Sequence, residues 1–144
     1  MANSILDSLV YNPLTGSIQY KIKGRAGRQE ITGFSTGYPG VATQITNRST
    51  GVTVPSSLRG TITTDTTSLA AEGSADFVVT NAAVGAGDVV VVAVKSGVVG
   101  AGTLVTVTAV ASGSFSIRVH NGNVAAGTAE TGAIVINYAV IKAT

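Results

Sequence analysis

Short apolar stretches that alternate with polar residues, free of proline and separated by glycine-bearing turns, fill residues 59–144 of this chain. A period of two places successive side chains on opposite faces of a β-strand. The pattern predicts six strands, over residues 59–66, 74–81, 88–95, 104–111, 114–120 and 133–142. Gly, Asn and Asp between them accept the positive φ angles of tight turns. We therefore expect an all-β fold, an antiparallel β-sandwich or a jelly-roll-like small barrel.

The same alternation predicts which side chains face the core. Residues 88–95 are nearly all valine, which is typical of a strand covered on both faces. In the other strands only every second residue is strongly apolar, so one face is expected to be buried. The side chains predicted to face inward are Phe77, Val79, Val105, Val107, Ala109, Phe115, Ile117, Val119, Ile134, Ile136, Tyr138 and Val140.

Charge and proline divide the chain into two parts. Only 11% of the residues are charged, against about 25% in an average soluble domain. Residues 1–60 hold six basic and two acidic side chains, residues 61–144 hold three basic and five acidic ones, and all three prolines precede residue 59. The shift predicts an extended N-terminal arm over residues 1–58 and a β-sandwich domain over residues 59–144.

The arm carries weaker signals. Asn3 or Ser4 is a candidate cap for a short helix that runs through Val10 and is stopped by Pro13, with Ile5, Leu6, Leu9 and Val10 on one stripe. Residues 16–23 alternate as a strand, residues 24–40 read as a loop, and residues 40–55 are expected to add one or two short strands. Such a segment buries little area on itself, so we expect it to be loose when alone.

Few side chains here are suited to catalysis. The absence of Cys excludes disulfides, thiolate metal sites and cysteine nucleophiles, and His120 is the only histidine. The glycine-rich residues 97–102 precede a predicted strand, whereas phosphate-binding loops precede a helix, so they read as a turn. Glu72 and Asp76 read as solvated loop charges, and Asp88 as a turn residue. We expect no enzyme, no cofactor and no metal.

Four basic residues lie close together in the arm: Lys21, Lys23, Arg25 and Arg28. Three interpretations stay open for this run. It contacts nucleic-acid phosphates, it forms a solvated edge strand that lysine keeps from aggregating, or it docks on an acidic protein surface. Against nucleic acid, Tyr20 is the only aromatic residue beside the run. The N-terminus also shows no basic start followed by an apolar run, so we expect no secretory signal and no membrane anchor.

The C-terminal part resembles β-sandwich virion proteins of tailed bacteriophages, and most closely capsid decoration (cement) proteins. The segments that carry the resemblance are SADFVVTN at 74–81, GDVVVVAVK at 87–95, LVTVTAVA at 104–111, GSFSIRVHN at 113–121 and GAIVINYAVIK at 132–142. The likeness covers residues 59–144 only, and its motifs are compositional and topological rather than functional residues.

The resemblance implies a structural protein that binds the outer surface of a phage capsid and stabilises it. Its implied partner is the major capsid protein, its implied state is a homo-oligomer, with a trimer favoured, and its implied location is the virion, assembled in the host cytoplasm. No nucleic acid, membrane or small-molecule substrate is expected. The alternative is a tail, fibre or receptor-binding component of the phage. The residues expected to contact the capsid are Ile5, Leu6, Leu9, Tyr20, Lys21, Lys23, Arg25 and Arg28.

Overall fold

The structure is a computed structural model that describes residues 38–100, 102–124 and 128–143, together with the backbone of three strands that precede them. All elements in the described part are strands, and no helix occurs there. The chain divides into two compact units, Met1–Tyr38 and Pro39–Thr144. The all-β prediction is confirmed.

The N-terminal unit contains an antiparallel sheet in the order β1-β2-β3, with β1 at Leu6–Asn12, β2 at Ser17–Ile22 and β3 at Gln29–Glu30. The predicted strand over residues 16–23 is confirmed as β2. The predicted helix over residues 3–10 is wrong, because Leu6–Asn12 pairs with β2. So short a helix is marginal by itself, whereas pairing with a neighbouring strand satisfies the same backbone groups at once.

The second unit is a sandwich of two four-stranded sheets. Sheet I has the order β4-β6-β11-β8 and sheet II the order β5-β7-β10-β9. Most neighbours are antiparallel, but β4 runs parallel to β6 and β5 parallel to β7. The strands are β4 at Gly40–Thr43, β5 at Val52–Thr53, β6 at Arg59–Thr63, β7 at Ser74–Thr80, β8 at Val89–Ser96, β9 at Thr103–Ala111, β10 at Ser114–Asn121 and β11 at Val135–Ile141.

The sandwich begins earlier in the chain than the sequence pattern suggests. Residues 39–58, assigned to the arm by sequence, lie within the second unit, where β4 and β5 form one edge strand of each sheet. Val54, just after β5, is 3% exposed and belongs to the core. With the boundary at residue 38, the charged side chains are distributed differently between the two parts of the chain. Residues 1–38 hold four basic and two acidic side chains, while residues 39–144 hold five of each.

The core lies between the inner faces of the two sheets. Phe115 of sheet II packs on Tyr138 of sheet I with ring centroids 5.5 Å apart. The Tyr138 hydroxyl shares a 2.6 Å hydrogen bond with Ser57, which satisfies its polar end inside the core. Burying a side chain of this size stabilises the fold by about 1.5–3 kcal/mol. The buried aliphatic and aromatic residues of the two sheets include Ile62, Phe77, Val79, Phe115, Ile117, Val119, Ile134, Ile136, Tyr138 and Val140.

Two predictions about strand faces are wrong. Strand β8 is covered on one face only, since Val90 is buried while Val89 and Val91 are 57% and 50% exposed. Strand β9 contains a bulge opposite Ser116 and Ile117 of β10, which advances its alternation by one residue. Ala109 therefore faces solvent, and Val110 packs against the core in its place.

Turn residues in the β9–β10 hairpin match their predicted role. The two strands are joined by Ser112 and Gly113 alone, and Gly113 has φ of 79°. Glycine adopts this left-handed conformation without steric cost, which explains why it occupies the second position of the turn.

Candidate functional site

The residues expected to bind a partner fall in the N-terminal unit. Leu6 and Leu9 lie on β1, and Tyr20 and Lys21 lie on β2. The backbone register places Leu6 opposite Ile22 and Leu9 opposite Tyr20, so these two apolar positions of β1 face apolar positions of β2. The remaining predicted contact residues lie outside the described residues, and they are Ile5, Lys23, Arg25 and Arg28.

The described residues of the glycine-rich segment, 97–100 and 102, connect β8 to β9 outside the strands, as predicted, and amides of this connection bind a carboxylate of the protein itself. Glu130 is fully buried, and its oxygens accept hydrogen bonds from the amides of Val99 and Gly100 at 3.0–3.2 Å. They also accept bonds from the Gly132 amide and from the Thr103 hydroxyl. In other proteins, backbone amides arranged in this way form a concave site that binds a free anion. In this protein they bind the carboxylate of Glu130 instead.

Arg48 lies beside this turn and is 3% exposed. Its guanidinium donates to the backbone carbonyls of Thr67, Glu130 and Gly132 and to the Thr64 hydroxyl. Because these acceptors come from distant parts of the chain, one side chain joins the loop after β4 to the segments after β6 and before β11. We call Arg48, Thr64, Thr103 and Glu130 the buried polar cluster.

Burial and hydrogen bonding act in opposite directions within this cluster. Burial alone would raise the pKa of Glu130, but the hydrogen bonds from Thr103 and from three backbone amides outweigh it and hold the pKa below its ordinary value. Burial lowers the pKa of Arg48, while the charge of Glu130 opposes that shift. The cluster is thus built to hold an ionised carboxylate in the interior.

Sequence reasoning missed both charged members of the cluster. A signal for Glu130 was present, because it is the only acidic residue after Asp88. A lone carboxylate among small Ala, Gly and Thr residues is costly to bury unless it has partners, so its position is informative. No comparable signal marks Arg48, which the sequence pattern places in the arm.

The outer face of sheet II is mainly polar, although it also exposes Val78 and Leu104, and its polar side chains contact each other across strands. Arg118 of β10 donates two 2.7 Å hydrogen bonds to Asp76 of β7, and both side chains are about half exposed. Beside them the Ser74 hydroxyl lies 2.9 Å from Nδ1 of His120. His120 thus lies on the outer face at the end of β10. Asp76 lies within the predicted strand over residues 74–81, and it is paired with Arg118 instead of being only a solvated charge.

Among the shallow grooves of the described residues, one of about 250 Å³ crosses the outer face of sheet II, and its lining includes three hydroxyl side chains and the exposed Val78. Another, of about 290 Å³, lies between the edge strands β4 and β5 and includes Ile45, which is 87% exposed. The residues that line the first groove, on sheet II, are Ser49, Gly51, Asp76, Phe77, Val78, Thr108 and Ser116.

Sheet I differs at β8 and β11, where most outward side chains are aliphatic, although β6 presents Arg59 and threonines on the same face. Val89 and Val91 of β8 lie opposite Ile141 and Ala139 of β11 in the strand register, and all four are exposed. Ala93 of β8 continues the row opposite Asn137. We call Val89, Val91, Ala93, Ala139 and Ile141 the valine face.

An ion pair secures the corner where β8 begins and β11 ends. The Asp88 carboxylate accepts hydrogen bonds from the amides of Gly85 and Ala143 and from the Lys142 ammonium group. The bond from Lys142 is the main cause that lowers the pKa of Asp88 to about 2. The predicted turn role of Asp88 is confirmed, and the structure adds its contact with the C-terminal segment.

The described residues contain no cluster of three or more metal-ligating side chains. No helix in the described part of the chain is long and apolar enough to cross a membrane. No protein-family model, no curated protein and no solved structure matches this chain.

Proposed function

We propose that this protein is a structural component of a tailed-phage virion that binds the outer surface of the capsid and stabilises the shell. The observation that carries the proposal is the division into two units. A self-contained sandwich with five basic and five acidic side chains follows a smaller three-stranded unit that carries the whole formal net charge of +2. The sequence resemblance to decoration proteins supports the same function.

The chemistry of the sandwich favours a binding role over catalysis. The buried carboxylate of Glu130 accepts hydrogen bonds from four donor groups of its own chain, and Asp76 is paired with Arg118. The Ser74 and His120 pair is exposed on a strand face rather than enclosed in a cleft. These groups stabilise the fold, and a protein that acts by surface contact requires no reactive side chain.

Attachment through the N-terminal unit gives a physical route to shell stabilisation. A three-stranded sheet of this size is marginally stable alone, so contact with a partner surface stabilises it. Binding to the assembled shell and not to loose subunits shifts the equilibrium toward the shell by mass action. If several copies are joined, weak individual contacts add through multivalency.

The direct test is binding of the purified full-length chain to expanded phage shells, followed by cosedimentation. We expect saturable binding, in hundreds of copies per particle, and a higher shell melting temperature. Removing residues 1–38 is expected to abolish binding while the sandwich keeps its cooperative unfolding. A truncated chain that still decorates shells contradicts the role assigned to the N-terminal unit.

Charge reversal separates electrostatic docking from apolar contact. The Lys21→Glu/Arg25→Glu variant is expected to weaken shell binding and to reduce its dependence on salt. Lys95→Glu on the exposed end of β8 is the matched control and is expected to bind as the unmodified chain does. Equal binding by all three proteins would mean that the basic run only keeps the strand soluble.

A tail, fibre or receptor-binding role is the second candidate, and the hydroxyl-lined groove on sheet II is the observation that favours it. Sugar-binding sites usually add an aromatic platform, and Tyr38 is the only exposed aromatic residue among those that the structure describes. Cryo-electron microscopy of the native particle distinguishes the two. A few copies at one vertex indicate a tail component, and hundreds over the shell indicate decoration.

A further inference from the structure

We propose that Asn121 and Gly122 form a deamidation site that the fold protects, so that Asn121 is converted to aspartate or isoaspartate only in molecules that unfold. In an asparagine–glycine pair the backbone amide of the glycine attacks the side-chain carbonyl carbon readily, because glycine has no side chain in the way. Asn121 is the only asparagine of this chain that is followed by glycine. The inference does not depend on the proposed virion function.

The reaction needs water as its only co-reactant. The amide nitrogen of Gly122 attacks Cγ of Asn121, loses its proton and closes a succinimide ring, while the side-chain nitrogen takes up a proton and leaves as ammonia. Water then adds to one of the ring carbonyls. Opening at the backbone side leaves the main chain running through the former side chain, as isoaspartate, and opening at the other carbonyl leaves aspartate.

The fold holds the attacking nitrogen in a backbone hydrogen bond. Gly122 donates its amide proton to the carbonyl of Gly102 at 3.0 Å. Asn121 is the last residue of β10 and pairs with Thr103 of β9. Ring closure requires the peptide group between Asn121 and Gly122 to rotate and to lose its proton. The reaction in the folded chain therefore begins with the loss of the bond to Gly102.

The side chain of Asn121 is held as firmly as the backbone beside it. Asn121 is 0% exposed, so water has no direct access to the site. Its Nδ2 donates at 2.8–3.2 Å to the carbonyls of Leu69, Ala70 and Thr128. Its Oδ1 accepts hydrogen bonds from the backbone amide and from Nδ2 of Asn123. The amide group thus joins the end of β10 to the segments that precede β7 and β11.

Packing explains why the chain carries a reactive pair at this position. A Cβ atom on residue 122 would lie 2.6 Å from the carbonyl oxygen of Gly102, so glycine is required there. Residue 121 has to supply N–H donors and an acceptor oxygen at the same time, which neither a carboxylate nor an aliphatic side chain does. The two residues that react in an unfolded chain are therefore the two that this corner of the fold requires.

Deamidation removes the donors on which this corner depends. An ionised aspartate has only acceptor oxygens, so at position 121 it would face the carbonyls of Leu69, Ala70 and Thr128 without a proton to share. Burying a charge without partners is costly. Isoaspartate instead lengthens the main chain at the end of β10 and displaces the amide of residue 122 from Gly102. Modified molecules are therefore expected not to refold, which makes unfolding irreversible.

Peptide mass spectrometry of the full-length chain, incubated in alkaline buffer with and without guanidinium chloride, tests the proposal. In the denaturant we expect Asn121 to be converted, while Asn81, which is equally buried in the fold but precedes alanine, stays largely unmodified. Without denaturant we expect Asn121 to react at least about 100-fold more slowly, because only open molecules react. Equal rates at Asn121 in both conditions, or equal rates at Asn121 and Asn81 in denaturant, overturn the proposal.

Refolding tests the consequence of the modification. After partial deamidation the chain is diluted out of the denaturant and its folded fraction is isolated by size-exclusion chromatography. We expect this fraction to contain unmodified Asn121 and to be depleted of aspartate and isoaspartate at that position. The same share of modified molecules in the folded and unfolded fractions contradicts the inference.

A direct substitution reproduces one product of the reaction. Asn121→Asp is expected to lower the urea midpoint strongly or to abolish cooperative unfolding. Asn137→Asp, at an exposed position of β11, is the matched control and is expected to unfold as the unmodified chain does. An Asn121→Asp chain that is as stable as the control shows that the amide donors are not required and overturns the predicted failure to refold.

Discussion

Two carboxylate–guanidinium regions of the sandwich use the same chemical groups under different physical conditions. Glu130 and Arg48 are buried and bound mainly to backbone groups, whereas Asp76 and Arg118 are half exposed and bound to each other. In the first region the charges join loops that are distant in sequence, and in the second they join adjacent strands that already pair. From this difference we expect burial, rather than the presence of an ion pair, to decide how much each charge contributes to the stability of the fold.

The largest effect is expected from Glu130→Gln, which removes the buried charge and keeps the shape of the side chain. The new amide group would direct N–H donors at the donors of Val99, Gly100 and Gly132. We expect the free energy of unfolding to fall by about 3 kcal/mol. Urea denaturation followed by circular dichroism measures this change.

Glu72→Gln is the matched control for that variant. Glu72 is an exposed carboxylate in a turn, so its neutralisation is expected to change the unfolding free energy by less than about 0.5 kcal/mol. If Glu130→Gln were as mild as the control, the buried cluster would not be what holds the glycine-rich turn in place.

An intermediate effect is expected for Asp88, whose side chain is 4% exposed although its partner Lys142 is 45% exposed. The pKa of Asp88 is lowered to about 2 from its usual 3.8, so the folded state favours the ionised carboxylate. Its contribution to stability is therefore complete above about pH 4 and is lost as the pH falls from 3.8 to about 2.

The Asp88→Asn variant tests this pH dependence. Between pH 5 and pH 2.5 the urea midpoint of the unmodified chain is expected to fall more than that of the variant, because only the former has this carboxylate to protonate. Identical pH profiles would show that Lys142 and the two backbone amides do not hold the ionised form in solution.

The smallest effect is expected from breaking the surface pair with Asp76→Ala. The pair is solvent-exposed and screened by salt, although its hydrogen bonds with Arg118 lower the pKa of Asp76. We expect a small drop in melting temperature at low salt that disappears at high salt. A double-mutant cycle with Arg118→Ala isolates the pair, and a coupling as large as the Glu130 effect would break the comparison drawn above.

Strand positions in the sandwich could be predicted from the sequence because each strand carries its own alternation. Residues 74–81 and 114–120, for example, coincide with β7 and β10 to within one residue. The predictions were wrong where one local sequence pattern is compatible with two structures. Leu6 and Leu9 fit a helical stripe as well as a strand, and pairing with β2 selected the strand. Ala109 was placed on the wrong face because a bulge is a property of two paired strands, not of one.

The polar contacts could be predicted less well. Asp88 was recognised as a turn residue because its partner Gly85 is three residues away. The Arg48 contacts span up to 84 residues, and such pairings leave no periodic trace in a sequence. The outward side of β8 was also predicted wrongly, because an all-valine strand is typical of a strand covered on both faces, whereas Val89 and Val91 are exposed in the structure.

By itself the sequence determined the all-β class, the positions of six strands, the inward faces of most of them and the absence of thiol chemistry. These properties depend on the two-residue period and on turn residues, which act locally. Only the tertiary structure decided that residues 39–58 belong to the sandwich, that Glu130 and Arg48 are buried, and that β8 lies at an edge with its valines exposed. The physical reason is that sheet order, bulges and burial are set by pairing between segments distant in the chain.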